Sequence, residues 1–89
     1  MSEESSLIYN KALDILSRRE HSAKELIFKL EKKFDSTEEI SLTVSKLKKN
    51  NLLNDFRYAE AYVVARKRKG FGPKKIKFEL LSKGIDESD

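Results

Sequence analysis

The chain has 89 residues, with 19 Lys/Arg against 15 Asp/Glu and a formal charge of +4. That length allows one small domain with a thin core. Because cysteine is absent, neither disulfides nor thiolate metal sites can reinforce it, which suits a reducing cytoplasm. No apolar run approaches the roughly 20 residues that cross a bilayer, and the opening MSEESS lacks the basic-then-apolar order of a secretion signal.

Three glycines and one proline in a chain otherwise rich in helix formers predict an all-α fold. Residues 1–6 read as a flexible N-terminus. A first helix is expected from about Leu7 to Arg18, where Ile8, Tyr9, Ala12, Leu13, Ile15 and Leu16 make one broad apolar stripe. Ser22 opens a second helix through a capping box, its hydroxyl accepting the Glu25 N–H while the Glu25 side chain reaches back. Leu26, Ile27, Leu30 and Phe34 then face the core. The device recurs at Ser36-Thr37-Glu38-Glu39, followed by Ile40, Val44 and Leu47 until Asn50-Asn51. Asn54 or Asp55 can cap a fourth helix, with Phe56, Ala59, Tyr62 and Val63 on one side and Arg66, Lys67, Arg68 and Lys69 at its end. Gly70-Phe71-Gly72-Pro73 breaks the chain, and Pro73 at a first helical position starts a fifth helix bearing Ile76, Phe78, Leu80 and Leu81 and ending at Gly84.

These elements repeat at a spacing of 50 residues: Leu13 aligns with Val63, the Ser22–Leu26 stretch with Gly72–Ile76, Phe28 with Phe78, and Leu30 with Leu80. The repeat divides the chain into a first three-helix unit over 7–53 and a second, 54–89, that stops after two helices, about five in all. Ile85-Asp86-Glu87-Ser88-Asp89 corresponds to the stretch that led into the third helix of the first unit. A helical unit that cannot bury its apolar face alone needs a neighbour, so Ile76, Leu80 and Ile85 are expected to lack a covering helix and to invite self-association.

Two stretches, ALDILSRREHSAKELIFKL and LLNDFRYAEAYVVARKRKGFGPKKIKFELLSKGI, with their order and spacing, resemble the bacterial RecX regulatory proteins, which modulate the recombinase RecA. The resemblance covers the chain from about Asn10 to Ile85. It implies tandem helix-turn-helix-like three-helix repeats, usually three, in a curved molecule that lies in the groove of the RecA filament on DNA. It further implies inhibition of RecA in DNA repair, recombination and SOS regulation, without enzymatic activity or cofactor. On this reading the chain corresponds to an N-terminal part of such a protein, and a shorter arc makes fewer contacts to add through avidity.

Charge locates the candidate contact surface. Residues 1–45 carry a net −2 and residues 46–89 a net +6, and the stretch from Arg66 to Lys77 contains Arg66, Lys67, Arg68, Lys69, Lys74, Lys75 and Lys77 with no acid. Flexible cations of this kind suit DNA phosphates or acidic patches on a filament. Phe71 either stacks on a partner or plugs the interhelical turn. Arg57 is open between a local bond to an acid such as Glu60 and a partner contact. The glycines before Pro73 do not make a P-loop, because the spacing, the Lys-Ser/Thr pair and the preceding strand are missing and Pro73 lacks an N–H. His21 has no Cys, Asp or Glu at ligand spacing and is expected at the surface, so no metal site is assigned. Glu25, Glu38 and Glu39 are first-turn acids, and no nucleophile and base pair up. The alternative to a RecA regulator is a helical domain that binds DNA non-specifically, since the second helix lacks the Arg/Asn/Gln set that reads base edges.

Overall fold

A computed structural model of the chain describes residues 3–85. Five helices follow one another: α1 (Glu3–Arg18), α2 (Ala23–Glu31), α3 (Thr37–Lys49), α4 (Asp55–Arg68) and α5 (Pro73–Ser82). Each boundary has a local cause. The Ser22 hydroxyl accepts the Glu25 N–H at 3.1 Å, the Ser36 hydroxyl accepts that of Glu39 at 3.2 Å, and the Asn54 side-chain Oδ1 accepts that of Arg57 at 3.0 Å. Each cap satisfies one backbone donor that a helix start leaves free. Gly72 caps α5 without a side chain, and Pro73 follows in the first helical turn.

The ends of α3, α4 and α5 share one geometry. Asn51, Gly70 and Gly84 take φ values of 60°, 89° and 82°. The next residue, Leu52, Phe71 or Ile85, then donates its N–H back to the carbonyl of Leu47, Arg66 or Leu80. This is the Schellman closure, which needs a left-handed residue at its corner and places an apolar side chain over the last turn.

Three expectations are corrected. First, α1 starts at Glu3, ahead of Leu7, and so takes in part of the stretch read as flexible; Glu3 and Glu4 in the first turn suit the positive end of the helix dipole. Second, only half of the capping box forms at Ser22. The Glu25 carboxylate turns outward to the Arg19 guanidinium, at 3.2 and 2.7 Å, because a charged fork outcompetes a backbone N–H. Third, His21 is buried, with 1% exposure.

Helices α1, α2 and α3 pack mutually. Their core holds Ile8, Ala12, Ile15, Ala23, Leu26, Leu30, Ile40, Val44, Leu47 and Leu53, with Tyr9, Leu13, Leu16, Ile27 and Phe34 around it. Each fully buried Leu or Ile here stabilises by about 1.5–3 kcal/mol. In the second unit α4 packs on α5, and Tyr58, Ile76 and Ile85 are buried. The repeat is visible in space: Ile8 and Tyr58 are both buried, as are Leu26 and Ile76. The molecule is elongated, 45 × 23 × 20 Å.

Candidate partner interface

The nine candidate contact residues separate into two groups. Arg66 faces the protein. Its guanidinium gives two hydrogen bonds to the Glu79 carboxylate, at 3.1 and 2.9 Å, and lies 3.7 Å from the centre of the Phe71 ring. Tyr62 donates to the same carboxylate at 3.0 Å. Partial burial would raise the Glu79 carboxyl, but the hydrogen bonds from Tyr62 and Arg66 and the charges of Arg66 and Lys75 hold it below its usual range. The acid that neutralises Arg66 thus stands just beyond the acid-free stretch seen in the sequence.

Phe71 is half-buried in the turn between α4 and α5, with the Lys75 ammonium 4.7 Å from its centre. Its N–H closes the turn on the Arg66 carbonyl, and the two cations beside its ring are worth roughly 0.5–1 kcal/mol each at a site this exposed. Arg57 bonds neither Glu60 nor solvent alone. It reaches across the chain to the Glu20 carboxylate and to the carbonyls of Asn51 and Leu52.

The second group is Lys67, Arg68, Lys69, Lys74, Lys75 and Lys77, all exposed at the end of α4 and on α5. Three of them, Lys67, Lys74 and Lys77, also border an open groove of about 510 Å³ between α4 and α5. Its walls are Phe56, Ala59, Val63, Ile76, Leu80, Leu81 and Ile85, with Lys67, Lys74 and Lys77 at the rim. The residues expected to lack cover are not the exposed ones: Ile76 and Ile85 are buried and Leu80 is half-buried, because the turn after α5 folds Ile85 back over Leu80. Exposure falls on Phe56 at 65%, Phe78 at 72% and Leu81 at 49%. Residues 86–89, expected to lead toward a third helix, lie outside the described residues.

Phe28 and Phe78, matched by the repeat, are both exposed. Each stands two residues after a core position, Leu26 or Ile76, and two residues turn a helix by about 200°. That angle was the signal available in the sequence. Among the described residues no His/Cys/Asp/Glu group could hold a metal ion, and no helix is long and apolar enough to cross a membrane.

Comparison with known proteins places this arrangement. The model of the first three-helix domain of RecX matches residues 9–47, and that of the second matches residues 54–89. The chain belongs to the RecX family. The first match covers most of α1 to α3, and the described residues supply α4 and α5 of the second.

Among relatives of this RecX-family chain, the regulatory protein RecX of Pseudomonas fluorescens strain SBW25 is 38% identical over 78 residues, covering 88% of this chain and 50% of the relative. That of Legionella pneumophila strain Corby is 40% identical over 78 residues, covering 88% and 52%. The crystal structure of RecX from Lactobacillus salivarius superposes with a TM-score of 0.84 at 37% identity, over 99% of this chain and 58% of that one. Another crystal structure of regulatory protein RecX gives 0.89 at 29% identity, over 97% and 43%. The chain spans about half the length of the curated relatives it matches.

His21 lies in the α1–α2 turn of the first RecX unit. The geometry assigns its tautomer: Nδ1–H donates to the Arg19 carbonyl at 2.9 Å, and Nε2 accepts from the Lys29 ammonium at 2.8 Å. Burial, and then the charges of Arg19 and Lys29, push the imidazole below its ordinary range. A group whose folded pKa is depressed contributes its full stability above the unfolded value, near 6.5, and loses it as pH falls toward the folded one. Urea midpoints are therefore expected to drop between pH 7 and pH 5.5, and His21→Asn should flatten that slope. An equal slope in both proteins would count against it.

Proposed function

We propose that this chain regulates RecA by docking on the RecA–DNA filament through the exposed basic end of its second unit, and that docking inhibits the recombinase. Membership of the RecX family carries the reading. The six exposed cations at the end of α4 and on α5 support it, since they fall within eleven consecutive residues, 67–77, that contain no acid. Surface cations of this kind suit DNA phosphates and acidic protein patches, which a filament offers side by side. The test is RecA's DNA-dependent ATP hydrolysis at limiting DNA, titrated with the chain. Loss of hydrolysis at substoichiometric chain is expected. Unchanged hydrolysis at saturating chain contradicts the reading.

The same cations favour a second reading, non-specific binding to DNA without a protein partner. Its mark is a steep salt dependence on bare DNA with no preference for filaments. The groove between α4 and α5 supports a further mode, association of two copies through Phe56 and Leu81 on its walls, which sedimentation at rising concentration detects.

A further inference from the structure

Glu20, Asp55 and Arg57 make hydrogen bonds that link the two units. The closely packed helix pairs, α1 with α3, α2 with α3, α1 with α2 and α4 with α5, each lie inside a unit. The links across the joint are largely polar. Asp55, at the start of α4, accepts the N–H of Ala23, the first residue of α2, at 2.8 Å. The Lys24 ammonium donates to the Ser82 carbonyl at 3.3 Å, and a Cβ at Gly84 would come within 3.1 Å of the Lys24 stem. Arg57 closes the joint. Its Nε donates to Glu20, one terminal nitrogen to the Asn51 carbonyl at 3.2 Å and the other to the Leu52 carbonyl at 3.4 Å.

A planar guanidinium that binds the α1–α2 turn and the α3–α4 turn at once tolerates little rotation of α4, whereas a point charge on a flexible stem would tolerate more. We infer that the Glu20–Arg57 pair, with Asp55 on the Ala23 N–H, fixes the angle between the two units. Arg57 is then a positioning residue for the basic surface of the second unit and does not itself touch the partner. The buried Tyr58, one residue further along α4, adds the apolar part of the joint: burial first, and then the Glu25 carboxylate, raise its hydroxyl above the ordinary range.

The angle can be measured directly because the chain has no cysteine. Nitroxide labels at Ser41→Cys on α3 and Ala65→Cys on α4, both exposed positions, report the distance between units by pulsed electron resonance. A single narrow distance is expected in the parent. Arg57→Gln and, from the opposite side of the joint, Glu20→Gln should each broaden and shift it while far-ultraviolet dichroism keeps the parent's helix content. The double swap Glu20→Arg with Arg57→Glu should narrow it again in part, which a purely local folding role would not do. If Arg57→Gln loses helix content, Glu20→Gln decides alone. An unchanged distance in a folded Glu20→Gln protein overturns the proposal. The readout involves neither RecA nor DNA, so its outcome stands apart from that of the filament reading.

Discussion

Leu26→Ala is expected to cost about 2–5 kcal/mol, enough to unfold much of the first unit in water at room temperature. Leu26 is fully buried in a core shared by α1, α2 and α3, and a small domain has on the order of 5–15 kcal/mol in hand, with a chain of this size near the low end. Truncation removes the transfer energy of three carbons and leaves a cavity that a thin core closes only by distorting its helices. The control is Leu42→Ala on α3, where 58% exposure holds the change to roughly 0.5 kcal/mol. Urea denaturation followed by dichroism at 222 nm separates the two. Equal midpoints would mean that the three-helix core does not carry the fold.

Reversing charge at Arg68, Lys69 and Lys74 is expected to weaken filament binding by on the order of tenfold to a hundredfold at low salt, and by much less at high salt. These three are exposed, whereas Arg66 is occupied by Glu79 and Lys75 lies over Phe71, so the substitutions leave the α4–α5 turn intact. If the contacts are to phosphates, the slope of log affinity against log salt should fall by about three. The matched control is charge reversal at Lys32, Lys33 and Lys48, exposed cations of the first unit. An equal loss in both sets would assign binding to overall charge and remove the special role of the second unit.

Much of the fold was legible because its determinants are local. Ser22, Ser36 and Asn54 mark helix starts through bonds that span three residues, and Asn51, Gly70 and Gly84 mark helix ends through backbone conformations few other residues accept. The core positions of α1 to α3 follow from helical spacing alone. What the sequence concealed depends on distant partners. Nothing near Arg57 announces Glu20, 37 positions away, and nothing near His21 announces that Lys29 and the start of α2 will enclose it. Asp55 looked like a helix cap because it stands where caps stand, yet Asn54 caps α4 and Asp55 serves a neighbouring helix.

Which cations of the basic stretch stay exposed depends on distant partners in the same way. A run of cations identifies where positive charge accumulates, but carboxylates elsewhere in the fold draw some arginines inward. Glu79 on α5 takes Arg66, and Glu20 takes Arg57. The six lysines and arginines that remain at the surface are adjacent in sequence on α4 and one helical turn or less apart on α5, so the patch itself was legible while its composition was not.

The most direct test of a filament regulator is a binding comparison. A fluorescent label on a single introduced cysteine at Ser41 allows anisotropy titrations of the chain against RecA–DNA filaments, free RecA and bare DNA at the same salt. The account predicts that filaments bind more tightly than either component alone. Equal affinity for all three, or binding to DNA that filaments do not improve, would contradict it.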